Sequence, residues 1–435
     1  MAVPKTYHIV TLGCPKNDVD SEHLERMLAG GDLLPVVEPR DADAIIVNTC
    51  GFIEQSQAQS MEAVRELAGA KRDGQTLIVA GCMTQLYGRQ VQEEVSGVDH
   101  IFGVGQWQDV AKLLSVDVDA IYDIPESAAK VTGPSAYLKI SDGCDAPCTF
   151  CVIPRIKGGL RSAPAGLLVR EAQRLVDAGA KELVLVGQDT TAWGEDLGMA
   201  VGDGLPGLLR MLADAVGPDV WLRLMYAYPS RVSPQLIETM AELPNVIHYL
   251  DVPLQHGSVD ALRRMKRPHN IEKVHGFVEQ LRRAMPDIVL RTSFIAGFPG
   301  ETEGEFRELL SFAKTIQFDH AGCFTYSRQQ WTGAFEMAEQ VPDEVKHERR
   351  ERFMRQQQKI AAKCARTFVG RELDLLVEGV GEDEDGGPVI AGRTYREAPE
   401  VDGLVFASGN AAPGAKVRVR IEDAAEYDLF GEVLA

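Results

Sequence analysis

Three observations predict an α/β protein built from an N-terminal open parallel α/β sheet, a central partial (βα)6 barrel and a C-terminal small antiparallel β-barrel. Apolar runs alternate with amphipathic stretches over residues 1–114 and again from 136, the pattern of parallel sheets joined by crossover helices. From residue 370 to 435 the pattern changes to short strands separated by turns. Cysteines and Gly/Pro turns recur where the strands end, the edge at which open sheets and barrels collect their functional residues.

The 435-residue chain is too long for one ordinary domain. With 45% hydrophobic and 25% charged residues it has the make-up of a soluble globular protein. It shows no run of about 18 apolar residues and no basic-then-apolar leader. The expectation is a cytoplasmic protein whose 8 cysteines serve metals or catalysis rather than disulfides. A formal net charge of −19 argues against wrapping nucleic acid over much of the surface, because such binding rests on Lys and Arg.

In the first region, residues 7–12, 44–47 and 76–80 read as strands, and each ends in a cysteine: Cys14, Cys50 and Cys82. The cysteines lie 36 and 32 residues apart, about one strand-helix unit each, as convergence from neighbouring parallel strands requires. A single strand-end cysteine is more often a small buried hydrophobe, whereas three at one edge predict a three-thiolate cluster site. Gly103-Val-Gly105 lacks a third glycine and reads as a turn. Residues 115–135, acidic and punctuated by Pro and Gly, read as a linker.

In the second region, 136–369, six strands are predicted near 137–140, 182–186, 221–225, 246–250, 288–295 and 321–326, too few for the closed eight-stranded barrel. After the first comes Cys144-Asp-Ala-Pro-Cys148-Thr-Phe-Cys151. Three thiolates at this spacing suit one small inorganic cluster and leave it one ligand short of four, so one iron stays open to a small molecule. Structural zinc wants four ligands, and no histidine stands near enough in sequence to complete a set. Gln188 and Gln255 fall at the same mouth, either facing a ligand or satisfying loop backbone. His256 reads equally as a loop cap or a proton carrier, and the glycines of Gly297-Phe-Pro-Gly300 as loop relaxation or close approach to a ligand. Residues 342–368 read as a solvated connecting helix. Cys323 and Cys364 have no spaced partner and read as structural.

In the third region, 370–435, strands are predicted at 372–380, 388–394, 404–407, 415–421 and 429–434. It carries 6 Lys and Arg against 15 Asp and Glu, a net of −9. A barrel of that sign repels a phosphate backbone and attracts a basic protein.

The run from Tyr137 to Pro154, with Phe150 just before the third cysteine, resembles the signature of radical S-adenosylmethionine (SAM) enzymes and, more narrowly, of methylthiotransferases. Leu12-Gly-Cys-Pro-Lys-Asn17 and Val47-Asn-Thr-Cys-Gly-Phe52 resemble the N-terminal domain of that family, and 370–435 resembles by position its TRAM domain. The resemblance implies two 4Fe–4S clusters: one on Cys144, Cys148 and Cys151 that cleaves SAM, and an auxiliary one on Cys14, Cys50 and Cys82 that carries the sulfur. It implies SAM as radical source and methyl donor, with Phe150, Gln188 and Gln255 as cofactor-binding residues. The first cysteine motif and the acidic Ala398-Pro-Glu-Val-Asp402 also resemble the RimO branch, whose acceptor is the β-carbon of an aspartate in ribosomal protein uS12. A low-potential flavodoxin or ferredoxin is the implied electron donor. The loop Tyr326-Ser-Arg-Gln-Gln-Trp-Thr-Gly333 departs from the acidic pair and Gly-Thr common in the family. Two alternatives remain at this level: a transfer-RNA adenosine methylthiotransferase of MiaB type, and a non-catalytic two-cluster electron carrier.

Overall fold

The computed structural model describes residues 4–434 apart from 32, 117–130 and 132. Most of the expected linker lies outside the described residues.

The first sheet contains β1 (Thr6–Thr11), β2 (Leu34–Pro35), β3 (Ala44–Thr49), β4 (Thr76–Gly81) and β5 (His100–Ile101), all parallel, in the order β2-β1-β3-β4-β5. Alternate side chains of its central strands feed two cores. Ile46, Ile78 and Ala80 pack on one face, while Ile45, Val47, Leu77 and Val79 pack on the other. That two-sided burial explains why these strands read as unbroken apolar runs. The order also places the three cysteine-ending strands side by side, across the switch point between β1 and β3.

The second region opens with β6 (Ser135–Lys139) and a short antiparallel pair, β7 (Ser141–Asp142) with β8 (Arg161–Ser162). It continues with β9 (Glu182–Val186), β10 (Trp221–Leu224), β11 (Val246–Asp251), β12 (Val289–Ala296) and β13 (His320–Thr325). β6 and β9 to β13 form one six-stranded parallel sheet in chain order, open between β6 and β13. Leu183, Leu185, Leu222 and Leu290 pack under the surrounding helices. The helix Asp343–Arg366, expected to be solvated, instead buries Phe353, Ile360 and Ala361, and its Arg349 pairs with buried Glu301 at 2.9 Å.

β14 (Glu372–Glu382), β15 (Pro388–Arg393), β16 (Val405–Ser408), β17 (Lys416–Ala424) and β18 (Leu429–Val433) close a barrel in the order β14-β15-β16-β18-β17. Its pairs are antiparallel except β16 with β18, which run parallel because the chain crosses over through β17. The barrel docks on the second sheet, where its Leu375, Val377 and Val419 share a core with Val184, Ile247 and Tyr249. Fully buried Glu182 ties the junction, accepting from Arg223 and from Arg393 of β15 at 2.7 Å each. Burial opposes ionisation of Glu182, but the two guanidiniums overcome it and hold the carboxyl down at about 2. Among the described residues no helix is long and apolar enough to cross a membrane.

Candidate active site

The strand ends of the first sheet place Cys14, Cys50 and Cys82 at one rim. Cys14 is the N-cap of the helix Pro15–Ala29, and Cys82 opens the helix Cys82–Glu94. Both therefore stand at the positive ends of helix dipoles. Cys82 follows Gly81, whose φ of +103° is open to glycine and where a Cβ would lie 2.5 Å from the Asn48 side-chain oxygen. The backbone N–H of Cys50 donates to Ser60 Oγ at 3.0 Å. Asn17 fastens the three loops together: its amide donates to the carbonyls of Leu12 (2.6 Å) and Thr49 (3.4 Å), and its Oδ1 lies 3.8 Å from Cys82 Sγ. Burial pushes the Cys82 thiol up to about 12, against the pull of the Lys157 ammonium.

Cys144, Cys148 and Cys151 come from one loop after β7. Gly143, at φ +76°, lets that loop touch the 158–160 segment, where any Cβ would collide with the Gly159 carbonyl. The Cys144 N–H donates to Gly158 O at 3.2 Å, and Thr149 is held through its N–H to Met265 O (3.1 Å) and its hydroxyl to Arg264 O (2.9 Å). Cys151 is half-buried, and desolvation pushes its thiol up to about 12. Cys148 Sγ lies 3.6 Å from Arg267 Nη1, and the Arg267 guanidinium stacks over Tyr228 at 4.1 Å. Phe150 packs beside Leu262, Met265, Phe298 and Tyr326.

Gln188 and Gln255 both reach the mouth. Asp142 accepts from Gln188 Nε2 at 2.9 Å, which fixes the amide so that its buried Oε1 has no protein partner. Gln255 is pinned to β12 by Gln255 N–H to Ser293 O (2.9 Å) and Ile295 N–H to Gln255 O (2.8 Å), with its backbone at φ +75°. Tyr226, after β10, also has positive φ, +60°. Two non-glycine residues in this conformation, at the ends of neighbouring strands, mark strain of the kind concentrated in functional sites. His256 points elsewhere: it is buried, and its Nδ1 accepts from the Ser258 N–H at 2.9 Å, so it caps its loop. Gly297 packs against Lys346, which lines the cavity, and is not itself among the lining residues.

Both triads, with Phe150, Gln188 and Gln255, line a single cavity of 1470 Å³. That is larger than an ordinary small-ligand pocket of about 300–1,000 Å³. Cys82 packs directly on Val152 and Ile156, the residues just beyond Cys151. Beside them a buried ion network joins the two sheets. Lys157 donates to Asp20 (2.9 Å) and Asp142 (3.2 Å), and Lys139 also pairs with Asp20. Although burial alone would raise it, Asp20 is held well below the usual carboxylate range by these two ammoniums. The sequence offered no signal for Arg267, Lys157 or Asp20, because the contacts that place them here, Arg267 with Cys148 and Lys157 with Asp20, each join residues more than 100 apart.

Among the described residues no three His, Cys, Asp or Glu are arranged around a single metal ion. An iron–sulfur cluster asks for a different arrangement, one thiolate to each iron, with the sulfurs set around a polynuclear core. Three thiols on each rim, a cavity of this size and the unpartnered Gln188 Oε1 fit such clusters and a polar ligand between them.

Comparison with known proteins agrees with this architecture. Residues 6–103 match the family described as uncharacterized protein family UPF0004, residues 138–313 the radical SAM superfamily and residues 369–434 the TRAM domain. The chain is 43% identical over 460 residues to the ribosomal protein uS12 methylthiotransferase RimO of Roseiflexus sp. (strain RS-1), covering 98% of this chain and 97% of that protein. It is 44% identical over 439 residues to the protein of the same name from Anaeromyxobacter sp. (strain K), covering 98% and 92%. Among solved structures, the radical S-adenosylmethionine methyltransferase TsrM from Kitasatospora setae shares the fold at a TM-score of 0.58 and 14% identity, over 76% of this chain and 77% of that one. With identity of this order across nearly its whole length, the chain belongs to the RimO family of radical SAM methylthiotransferases.

Proposed function

We propose that the chain transfers a methylthio group to the β-carbon of an aspartate in ribosomal protein uS12, using two 4Fe–4S clusters. Cys144, Cys148 and Cys151, within 136–369, hold the one that cleaves SAM; Cys14, Cys50 and Cys82, within 1–114, hold the auxiliary one. The observation that supports this most is that both cysteine triads line the same cavity. When bound, the clusters and SAM supply the hydrogen-abstracting radical and the methylthio group that replaces the hydrogen.

The chain's own residues bind and orient. Gln188 offers Oε1 to an N–H of SAM, with Asp142 preventing the amide from flipping. Gln255 faces the cavity from a backbone locked by β12, and Phe150 supplies an apolar wall. Arg267 sets a positive charge beside Cys148, and Val152 and Ile156 exclude water between the triads. The barrel of 370–435, at a net of −9, suits a basic ribosomal protein and weighs against transfer RNA as acceptor. A flavodoxin or ferredoxin of low potential delivers the electron, and the cytoplasm, where ribosomes assemble, is the place of the reaction.

The test is mass spectrometry of cluster-reconstituted protein with SAM, a strong reductant and either uS12 or transfer RNA. The expected result is one methylthio group on an aspartate of uS12. Its appearance on adenosine, or no product with SAM uncleaved, would overturn the reading.

A further inference from the structure

The cavity contrasts in charge with the rest of the molecule. Although the chain carries a net charge of −19, among the described residues its cavity is lined by six Lys and Arg side chains and two carboxylates, Glu54 and Asp343. Most of these cations are engaged. Lys157 is paired with Asp20 and Asp142, Lys346 with Asp343 at 2.8 Å, and Arg267 lies beside Cys148. Arg328 donates to Phe335 O at 3.0 Å and stacks on that ring, and Arg350 donates to Cys323 O at 3.2 Å.

Lys16 differs. It follows Cys14 by two residues, at the start of the helix Pro15–Ala29, and its ammonium rests 3.6 Å from the centroid of the Tyr226 ring. Among the described residues it makes no ion pair. Tyr226 follows β10, the strand between those that lead to Gln188 and Gln255, and its left-handed backbone is braced by its N–H donating to Asp251 at 3.2 Å. The loop of the auxiliary triad therefore reaches across to the barrel mouth and sets a positive charge there. An aromatic face steadies a cation without neutralising it, and leaves its N–H groups for an anion.

We propose that Lys16 is a specificity-determining residue: its ammonium, steadied on Tyr226 in the cavity that both cysteine triads line, receives the side-chain carboxylate of the aspartate to be modified. This inference rests on the aspartate reading under Proposed function and deepens it. A carboxylate is the group that separates an aspartate from any nucleobase, and it sits one bond from the reacting carbon. A charge-assisted hydrogen bond to it orients that carbon as well as selecting the residue. Asparagine keeps the shape but loses the charge, so a site of this kind discriminates against it.

The test uses reconstituted enzyme, recombinant uS12 and uS12 whose acceptor aspartate is changed to asparagine. Iron and sulfide content confirm that Lys16→Met and Lys16→Arg are loaded. Fluorescence anisotropy without reductant gives the binding preference for the aspartate form, and product formation gives KM and kcat. For Lys16→Met we expect KM to rise roughly 10- to 100-fold and the aspartate-over-asparagine preference to collapse, with Lys16→Arg restoring most of both. A preference that survives in Lys16→Met, with the loss falling on SAM affinity instead, would overturn the proposal while leaving the aspartate reading intact. A wild-type enzyme that modifies no uS12 overturns that reading, and this inference with it.

Discussion

The two cysteine triads reach one cavity by opposite routes. Cys144, Cys148 and Cys151 come from eight consecutive residues, so local chain geometry holds them together. Cys14, Cys50 and Cys82 come from the ends of three strands and meet only because β1, β3 and β4 are neighbours in the sheet. A contiguous triad depends on one loop; a distributed one depends on a whole fold, and on whatever that fold leans against. Here it leans on the other triad, through Cys82 against Val152 and Ile156 and through the Lys157 network.

The largest effects should separate the two routes by chemistry. Cys148→Ala is expected to cut 5′-deoxyadenosine formation by at least about a thousandfold. Cys14→Ala should remove the methylthio product as completely while 5′-deoxyadenosine still forms, and chromatography of both products checks the pair. Next, Lys157→Met leaves Asp20 and Asp142 sharing Lys139 in a buried site, at a cost of about 3–5 kcal/mol read by denaturant unfolding. If the distributed triad depends on its neighbour, this variant should also lose more iron from the Cys14 site than from the Cys144 site.

Acid offers a control remote from both triads. Glu182 titrates near 2 in the folded protein against 4.5 ordinarily, so its contribution is complete above pH 4.5 and is lost as pH falls towards 2. The contribution is about 3 kcal/mol. Unfolding measured across that range should show it, and Glu182→Gln should flatten the slope without touching iron content. Smallest is Gly81→Ala, which forces a Cβ into φ +103° beside Asn48 and should cost about 1–3 kcal/mol, seen as a lower Tm. Its effect on iron should fall on the distributed triad alone.

The same contrast decides what the sequence made legible. The spacing of Cys144, Cys148 and Cys151 could be read without any structure. For Cys14, Cys50 and Cys82, alternation gave strand ends but not strand order, and order is what brings them together. The strands of the second sheet were legible by their apolar residues, most plainly β9 and β10, which are buried throughout. The edge strands Leu34–Pro35 and His100–Ile101 are too short to give a period. The parallel pairing of β16 with β18 is a matter of topology that no local pattern records. Gln188 and Gln255 stood out by position, but the strained backbone of Tyr226 and Gln255 leaves no trace in residue type, and Arg267 is tied to Cys148 only through space.

The packing of Cys82 beneath Val152 and Ile156 has a temporal side. These residues leave the ribosome after Cys82, by roughly 4 to 15 seconds at synthesis rates of about 5–20 residues per second. During that interval the N-terminal rim is uncovered, and iron and sulfide can approach it from every direction. Once residues 152–156 have packed on Cys82, the cavity leading to that rim is one that Cys144, Cys148 and Cys151 also line. The order of translation thus gives the distributed site an early window for maturation that the contiguous site, made later and beside its own cover, never has.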